Sequence, residues 1–394
     1  MVANTWIAAG PGDWSDDANW SLGHSPIAGE DPTFDGTSVN NCAANDSTPT
    51  GVLTIAAGYS GTITQSSDIY ISGYSQAGGI FTGPGGSSIF VYCSGNVSVT
   101  GGIFTHEKTS FNFTGDNCEL TGLTTDIRVL KVSGNLTVKT SFGTSGEAGC
   151  GVFVDTSGKL TINSGYTITN TAYFGGTFIN NGIITGLGTF KIILYDNSPI
   201  IKDLSDINCN ILLSTFVHGP TKNLSWKITE DITPISFKVE VLGSNGYTLT
   251  LDLNGHSLTA SSITVGTRGI LTNSAATPSV IKCASLDSSA GTFTPDRTVL
   301  VMEGASTLKL AAGGSVNSLI SKGVTTLASD AIVANVCAHV NPITKGAYAL
   351  TLTKPENEYT GLRRPIIIPV KKLDIGPVGP ANGWLRDLGA VVGC

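Results

Sequence analysis

Residues 95–101 have the sequence Gly95-Asn96-Val97-Ser98-Val99-Thr100-Gly101, in which apolar residues alternate with Ser or Thr between turn residues. The same phrase returns along the chain, at Gly134-Asn135-Leu136-Thr137-Val138, Gly158-Lys159-Leu160-Thr161-Ile162-Asn163 and Gly246-Tyr247-Thr248-Leu249-Thr250-Leu251-Asp252-Leu253-Asn254-Gly255. A period of two is typical of strands that have one buried and one solvated face. The sequence therefore predicts many short strands joined by tight turns.

The composition agrees with a chain that folds into strands and turns. Glycine supplies 49 of 394 residues, and only 13% of residues are charged, where about 25% is usual for soluble domains. The hydrophobic share of 40% is ordinary, which argues against disorder. No window has the spacing of apolar residues that a surface helix needs. We predict an all-β fold, an elongated right-handed β-solenoid resembling a parallel β-helix, with tandem antiparallel β-sandwiches as the alternative.

Changes in texture divide the chain into five predicted segments. They are an N-terminal cap segment (1–40), a β-solenoid block (41–193), an irregular β junction (194–242), a second β-solenoid block (243–344) and a proline-rich, non-repetitive C-terminal docking tail (345–394). Proline lacks the backbone donor that a sheet ladder uses, so we expect the array to end before the tail.

The cap segment holds three of the five tryptophans, Trp6, Trp14 and Trp20. The first turn of a solenoid exposes an apolar end and an unpaired edge, which large aromatic side chains would cover. We therefore interpret the three tryptophans as a cap. The alternative is that Trp14 and Trp20 stack on sugar rings.

The same segment carries a recognisable pattern, Gly12-Asp13-Trp14-Ser15-Asp16-Asp17-Ala18-Asn19-Trp20, followed by Pro26 and Asp31. It resembles the G-x-W-x-x-x-x-N-W segment that opens many Gly-rich β-solenoid surface proteins. That class includes phage virion fibre and decoration proteins and autotransporter-like bacterial surface proteins. The resemblance covers about a tenth of the chain, and it implies a solenoid of the surface-protein type.

The docking tail is both apolar and basic. Its Ile-rich strip is too apolar for a solvated arm, so it must lie against a neighbouring subunit or against the protein's own solenoid. We expect assembly with other virion or filament subunits, and a homo-oligomer, through this tail. The residues expected to take part are Arg363, Arg364, Ile366, Ile367, Ile368, Trp384 and Cys394. Cys394 could also cross-link subunits in an oxidising medium.

Charge and hydropathy reduce the number of other candidate partners. A net charge of −7 without a basic stripe argues against nucleic acid. No apolar run is long enough to cross a membrane, and residues 1–6 lack the pattern of a secretory signal. If Met1 is the native start, we expect folding in a cytoplasm. A cell-surface glycan is a further candidate partner.

Few residues suggest chemistry. The histidines are isolated, and the cysteines form no closely spaced pair, so we expect no catalytic residues, no cofactor and no metal site. Asp252, Asn254 and His256 alternate with leucines, and we interpret them as the wet face of one strand, with a metal or acid–base role as the alternative. Two further alternatives are a glycosidase pair drawn from Asp203, Asp206, Glu230 and Asp231, and calcium binding by Asp13, Asp16 and Asp17.

These observations together predict a structural, non-enzymatic surface protein. A phage virion component, such as a head or tail fibre, spike or decoration protein assembled in the host cytoplasm, is the leading hypothesis. A bacterial extracellular adhesin or filament subunit of autotransporter-like type, at the cell surface, is the second. A β-helix polysaccharide lyase or hydrolase is the third.

Overall fold

The structure is a computed structural model. It describes residues 2–83, 89–105, 109–144, 150–172, 177–194, 200–202, 206–215, 222–242, 246–294, 296–341, 343–354 and 358–360. These residues form two compact units, the first drawn from residues 1–193 and 197–209, the second from residues 194–196 and from residue 210 onward.

Short strands make up nearly all the regular structure. As far as residue 202 they are β1 (Val2–Thr5), β2 (Gly12–Asp13), β3 (Glu30–Phe34), β4 (Cys42–Ala44), β5 (Thr50–Ile55), β6 (Thr62–Gln65), β7 (Ile69–Gln76), β8 (Ile80–Thr82), β9 (Phe90–Cys93), β10 (Val97–Val99), β11 (Ile103–Thr105), β12 (Ser110–Phe113), β13 (Cys118–Thr121), β14 (Val129–Val132), β15 (Asn135–Lys139), β16 (Phe142–Thr144), β17 (Gly151–Val154), β18 (Lys159–Ile162), β19 (Thr167–Ala172), β20 (Thr177–Asn180), β21 (Ile183–Leu194) and β22 (Ile200–Lys202).

The strands that follow are β23 (Ile207–Thr215), β24 (Leu224–Lys227), β25 (Ser236–Val239), β26 (Leu249–Asp252), β27 (Leu258–Thr259), β28 (Ser262–Val265), β29 (Gly269–Thr272), β30 (Ser279–Asp287), β31 (Thr292–Phe293), β32 (Thr298–Lys309), β33 (Ser315–Ser321), β34 (Thr325–Leu327), β35 (Ala331–His339), β36 (Leu350–Leu352) and β37 (Glu358–Thr360). The helical structure in the described part of the chain is one 3-10 turn, Asp17–Asn19.

Strand pairing in the described residues is parallel, apart from one isolated bridge between Trp6 and Trp20. A strand inside a sheet pairs with the strand one turn earlier and the strand one turn later, as β10 does with β7 and β13. This pairing confirms the predicted β-solenoid, and the alternative of antiparallel sandwiches is wrong.

The core of the first unit is a set of in-register columns of apolar side chains. One column aligns Leu53, Tyr74, Val97, Leu120, Val138 and Ile162, all buried. The residues that follow them in sequence point outward, because successive side chains of a strand alternate between faces. On this outward side a hydroxyl column of half-buried residues is aligned in register, Thr5, Thr33, Thr54, Ser75, Ser98 and Thr121, and the next residue in the column is Lys139. The alternation along each strand thus produces an apolar inner surface and a polar outer surface.

The core of the second unit repeats the arrangement. Its longest apolar column aligns Ile211, Phe237, Ile263, Leu286, Leu308 and Leu327, all buried. The column begins inside residues 194–242, for which the sequence predicts an irregular junction. At the other end, β36 and β37 pair in parallel with β35. The ladder therefore continues to Thr360, past residue 345, where the sequence predicts a tail outside the array. Its proline-rich strip lies outside the described residues.

The seven cysteines that the structure describes are buried thiols that form no disulfide. Burial raises the pKa of Cys93, Cys209 and Cys283 to about 12 in each case. Because the thiolate is the nucleophile, a thiol with this pKa reacts slowly.

We expect thiol labelling to report folding of both units. A disulfide reagent at mildly alkaline pH, near the ordinary thiol pKa of about 8.5, should leave these cysteines unmodified in the folded Cys394→Ser variant. All seven should react in urea. The measurement is the number of thiols modified with time, and a fast-reacting thiol in the folded variant would contradict the burial described above.

Candidate functional site

Asp252 has the most elaborate side-chain environment among the predicted candidates. It ends β26 and is only 2% exposed. Its Oδ1 accepts the backbone N–H groups of Asn254 at 3.0 Å and Ser274 at 2.9 Å, and its Oδ2 accepts the Ser274 hydroxyl. Lys227 Nζ lies 3.5 Å from Oδ2. The carboxylate is therefore surrounded by donors from three successive turns of the solenoid.

The interpretation of Asp252, Asn254 and His256 as one wet face is wrong. Leu251, Asp252 and Leu253 are all buried, so the alternation stops at the end of β26. Asn254 has a φ of 49°, in the left-handed region, and the chain turns there. Asp252 consequently points into a turn rather than into solvent.

The charge state of Asp252 follows from these contacts. Burial alone would raise its pKa, but the hydrogen bonds from Ser274 and Asn254 and the charge of Lys227 together lower it. A general acid works best with a pKa near the operating pH. A carboxylate held ionised by several donors is suited to fixing a turn.

Replacing Asp252 with asparagine should destabilise the second unit by about 1.5–3 kcal/mol at neutral pH, because charged hydrogen bonds are lost. A folded-state pKa below the ordinary value of about 3.9 stabilises the protein above that pH, and this stabilisation is lost as pH falls through the folded-state pKa. The difference between the parent and Asp252→Asn should therefore shrink in acid. Urea unfolding at neutral and at acid pH measures this difference, with Asp296→Asn, at an exposed position of the same unit, as the control. An equal difference at both pH values would contradict the lowered pKa.

Of the other predicted carboxylates, Asp231 also binds backbone. Asp231 Oδ1 accepts Ser257 N–H at 2.7 Å and lies 3.8 Å from His256 Nδ1. Asp206 belongs to the first unit and Glu230 to the second, and Asp203 lies outside the described residues.

The acidic turn, for which calcium binding is the alternative interpretation, also uses carboxylates to accept backbone N–H groups. Asp16 Oδ1 accepts Ala18 N–H and begins the 3-10 turn, and Asp17 Oδ1 accepts Ser25 N–H at 2.7 Å. Within the described ranges, no three His, Cys, Asp or Glu side chains gather as they would around a metal ion.

A wider set of these contacts joins one turn to the next, and sequence reasoning missed it. An Asp or Asn oxygen accepts a backbone N–H from the following turn, 17 to 26 residues later. The pairs are Asp31 with Val52, Asn41 with Thr62, Asp68 with Phe90, Asn96 with Glu119, Asp126 with Gly143, Asn223 with Thr248, Asp231 with Ser257, Asp252 with Ser274 and Asp330 with Ala349. No fixed spacing in the sequence could have revealed the set, because the turns differ in length and the donor is a backbone N–H of any residue type.

The three cap tryptophans form one buried cluster. Trp20 lies at its centre, with ring centroids 5.3 Å from Trp6, 5.0 Å from Trp14 and 5.7 Å from Phe34. All three tryptophans are at most 3% exposed. Their ring faces are therefore not open to a sugar, and the stacking alternative for Trp14 and Trp20 is wrong.

The cluster is tied to the free edge of β1. Ser21 N–H donates to Thr5 O, and Asn4 Oδ1 accepts Leu22 N–H. Trp20 Nε1 donates to Trp14 O at 2.6 Å, and Trp6 Nε1 donates to Asn40 O at 3.1 Å. The segment after Trp20 therefore occupies backbone positions that an added strand would use, as a cap would.

The expected docking residues, Arg363 to Ile368 with Trp384 and Cys394, lie outside the described residues. No helix in the described part of the chain is both long and apolar enough to span a bilayer. In comparisons with known proteins, no family model, no curated protein and no solved structure matches this chain.

Proposed function

We propose that this chain is a structural, non-enzymatic surface protein, and that a phage virion is the assembly it serves. The observation that carries the proposal is the set of Asp and Asn contacts between successive turns. Side chains that could bind metal or move protons are used there as acceptors for backbone N–H groups. These side chains therefore serve to hold one turn against the next.

The surface supports the same role. The hydroxyl column of the first unit, Thr5 to Thr121 as defined above, covers one strip of the ladder with short uncharged side chains. A rigid ladder with such a covering is suited to forming a durable exterior. The resemblance of the Gly12–Trp20 segment to solenoid surface proteins, among them phage virion proteins, supports this assembly, and the docking tail is its attachment element.

Mass spectrometry and antibody labelling of purified particles test this proposal. We expect the chain to be present in virions from its source and to be labelled on their exterior. A variant lacking residues 361–394, which keeps β37, should fold with an unchanged β-type circular dichroism spectrum and should be missing from particles.

Three outcomes would overturn the proposal. Recovery of the chain only in a bacterial envelope fraction would favour the adhesin. Release of reducing ends or unsaturated products from acidic or neutral glycans, abolished by a single Asp substitution, would favour the enzyme. Normal incorporation of the truncated chain would remove the tail as the attachment element.

A further inference from the structure

The charges of this chain are distributed very unevenly. Residues 1–107 contain no Lys or Arg, and their acidic residues are Asp13, Asp16, Asp17, Glu30, Asp31, Asp35, Asp46, Asp68 and Glu107. Residues 361–394 contain five basic residues, Arg363, Arg364, Lys371, Lys372 and Arg386, and two acidic ones, Asp374 and Asp387. The first block is therefore strongly negative, and the last segment is net positive.

Exposed apolar side chains are concentrated at the start of the negative block. Five of them occur in the first 39 residues, each between 42% and 60% exposed, and together we call them the N-terminal face: Val2, Ile7, Leu22, Ile27 and Val39. Isolated exposed apolar residues are ordinary, but a grouped set indicates an interaction surface.

Hydrogen bonds group part of this face around Asn4 and Glu30. Val2 is aligned with Glu30 in the β1–β3 register. Asn4 Oδ1 accepts Leu22 N–H at 3.2 Å, and Glu30 Oε2 accepts Ile27 N–H at 3.3 Å and the Asn4 amide at 3.1 Å. Three exposed apolar residues thus share one hydrogen-bonded framework.

The acidic turn is attached to the same framework. Asp17 Oδ1 binds Ser25 N–H, between Leu22 and Ile27 in the chain, and Asp13, Asp16 and Asp17 are all exposed. The N-terminal face is therefore apolar with an acidic border. A partner that fits it needs apolar residues flanked by cations.

Residues 363–372 have this pattern. They place Ile366, Ile367 and Ile368 between the pairs Arg363-Arg364 and Lys371-Lys372. We propose that residues 361–394 of one copy dock on the N-terminal face of a second copy, so that copies join head to tail. The inference rests on the proposed assembly function and names the partner of the tail. Such a heterologous contact leaves one face and one tail free at the ends, so it propagates unless the geometry closes a ring.

A charge exchange in the full chain tests this. One variant carries Arg363→Glu with Arg364→Glu, and the other carries Asp13→Lys with Asp17→Lys. Analytical ultracentrifugation should show association at least about tenfold weaker for each variant alone, because like charges then face each other. An equimolar mixture should associate as the parent does, since each tail then meets an oppositely charged face. High salt should weaken the association of the parent.

Controls separate folding from docking. Asp116→Lys with Asp206→Lys makes the same change of charge at exposed sites elsewhere in the first unit, and it should associate as the parent does. Asp13→Asn with Asp17→Asn keeps an acceptor for Ser25 while removing the charge, so it should weaken association without unfolding the turn. Tryptophan fluorescence checks the turn in each variant.

Each result decides the inference. Failure of the mixture to associate would overturn it, as would docking of the tail within its own chain, which gives monomers in every sample. If the charge exchange fails while removal of residues 361–394 still prevents incorporation into particles, the tail binds another component. The proposed function then stands and the head-to-tail contact does not.

Discussion

Replacing Trp20 with alanine is expected to destabilise the first unit by about 3–5 kcal/mol, the usual cost of removing a large buried aromatic side chain. Trp20 is 1% exposed and contacts Trp6, Trp14 and Phe34 at centroid distances of 5.0 to 5.7 Å. Its indole N–H also satisfies Trp14 O. Removal therefore opens a cavity and leaves a buried carbonyl without this donor.

Urea unfolding followed by circular dichroism measures the loss. The matched control is Trp226→Ala, which removes a half-buried tryptophan from β24 in the second unit and should cost less than about 2 kcal/mol. Because the residues after Trp20 cover the free edge of β1, Trp20→Ala should also aggregate faster than the control. Equal stability of the two variants would contradict the role of the tryptophan cluster.

Replacing Gly122 with alanine should cost more than about 3 kcal/mol. Gly122 follows β13 with a φ of 73°, and an added Cβ would lie 1.9 Å from the carbonyl oxygen of Val99 in the preceding turn. The left-handed conformation alone costs a non-glycine residue about 1–2 kcal/mol. The clash adds to that cost, because the oxygen belongs to the backbone of the ladder and cannot move away by rotating a side chain.

Gly165 supplies the control for backbone conformation. It has a φ of 84°, and a Cβ there would meet nothing within 4 Å. Gly165→Ala should therefore cost only about 1–2 kcal/mol. The difference between the two free energies of unfolding measures the clash, and equal values would show that the turns at Gly122 and Val99 are further apart than described.

The strands themselves could be predicted from the sequence, because the alternation of apolar and polar residues is visible within each short segment. Val97, Leu136 and Leu160 each lie on the buried face that their phrases predict. Where a strand ends is a different matter. Asp252 continues the alternation of β26 in sequence, yet its side chain is buried because the chain turns at Asn254.

The contacts between turns could not be predicted from the sequence. A parallel ladder joins residues about one turn apart, and the turns of this chain differ in length, so no fixed spacing marks the partners. Asp126 reaches Gly143 after 17 residues, whereas Asp231 reaches Ser257 after 26. The recurring phrase is also absent between residues 194 and 242, although β23 and β25 pair there in regular register.

The hydroxyl column of the first unit has a consequence for any object that touches it. Long charged side chains lose considerable rotamer entropy when a contact immobilises them, whereas Ser and Thr have little to lose. Because the strands already hold Thr54, Ser75 and Ser98 in register, a contact formed on this flank would carry only a small side-chain entropy penalty.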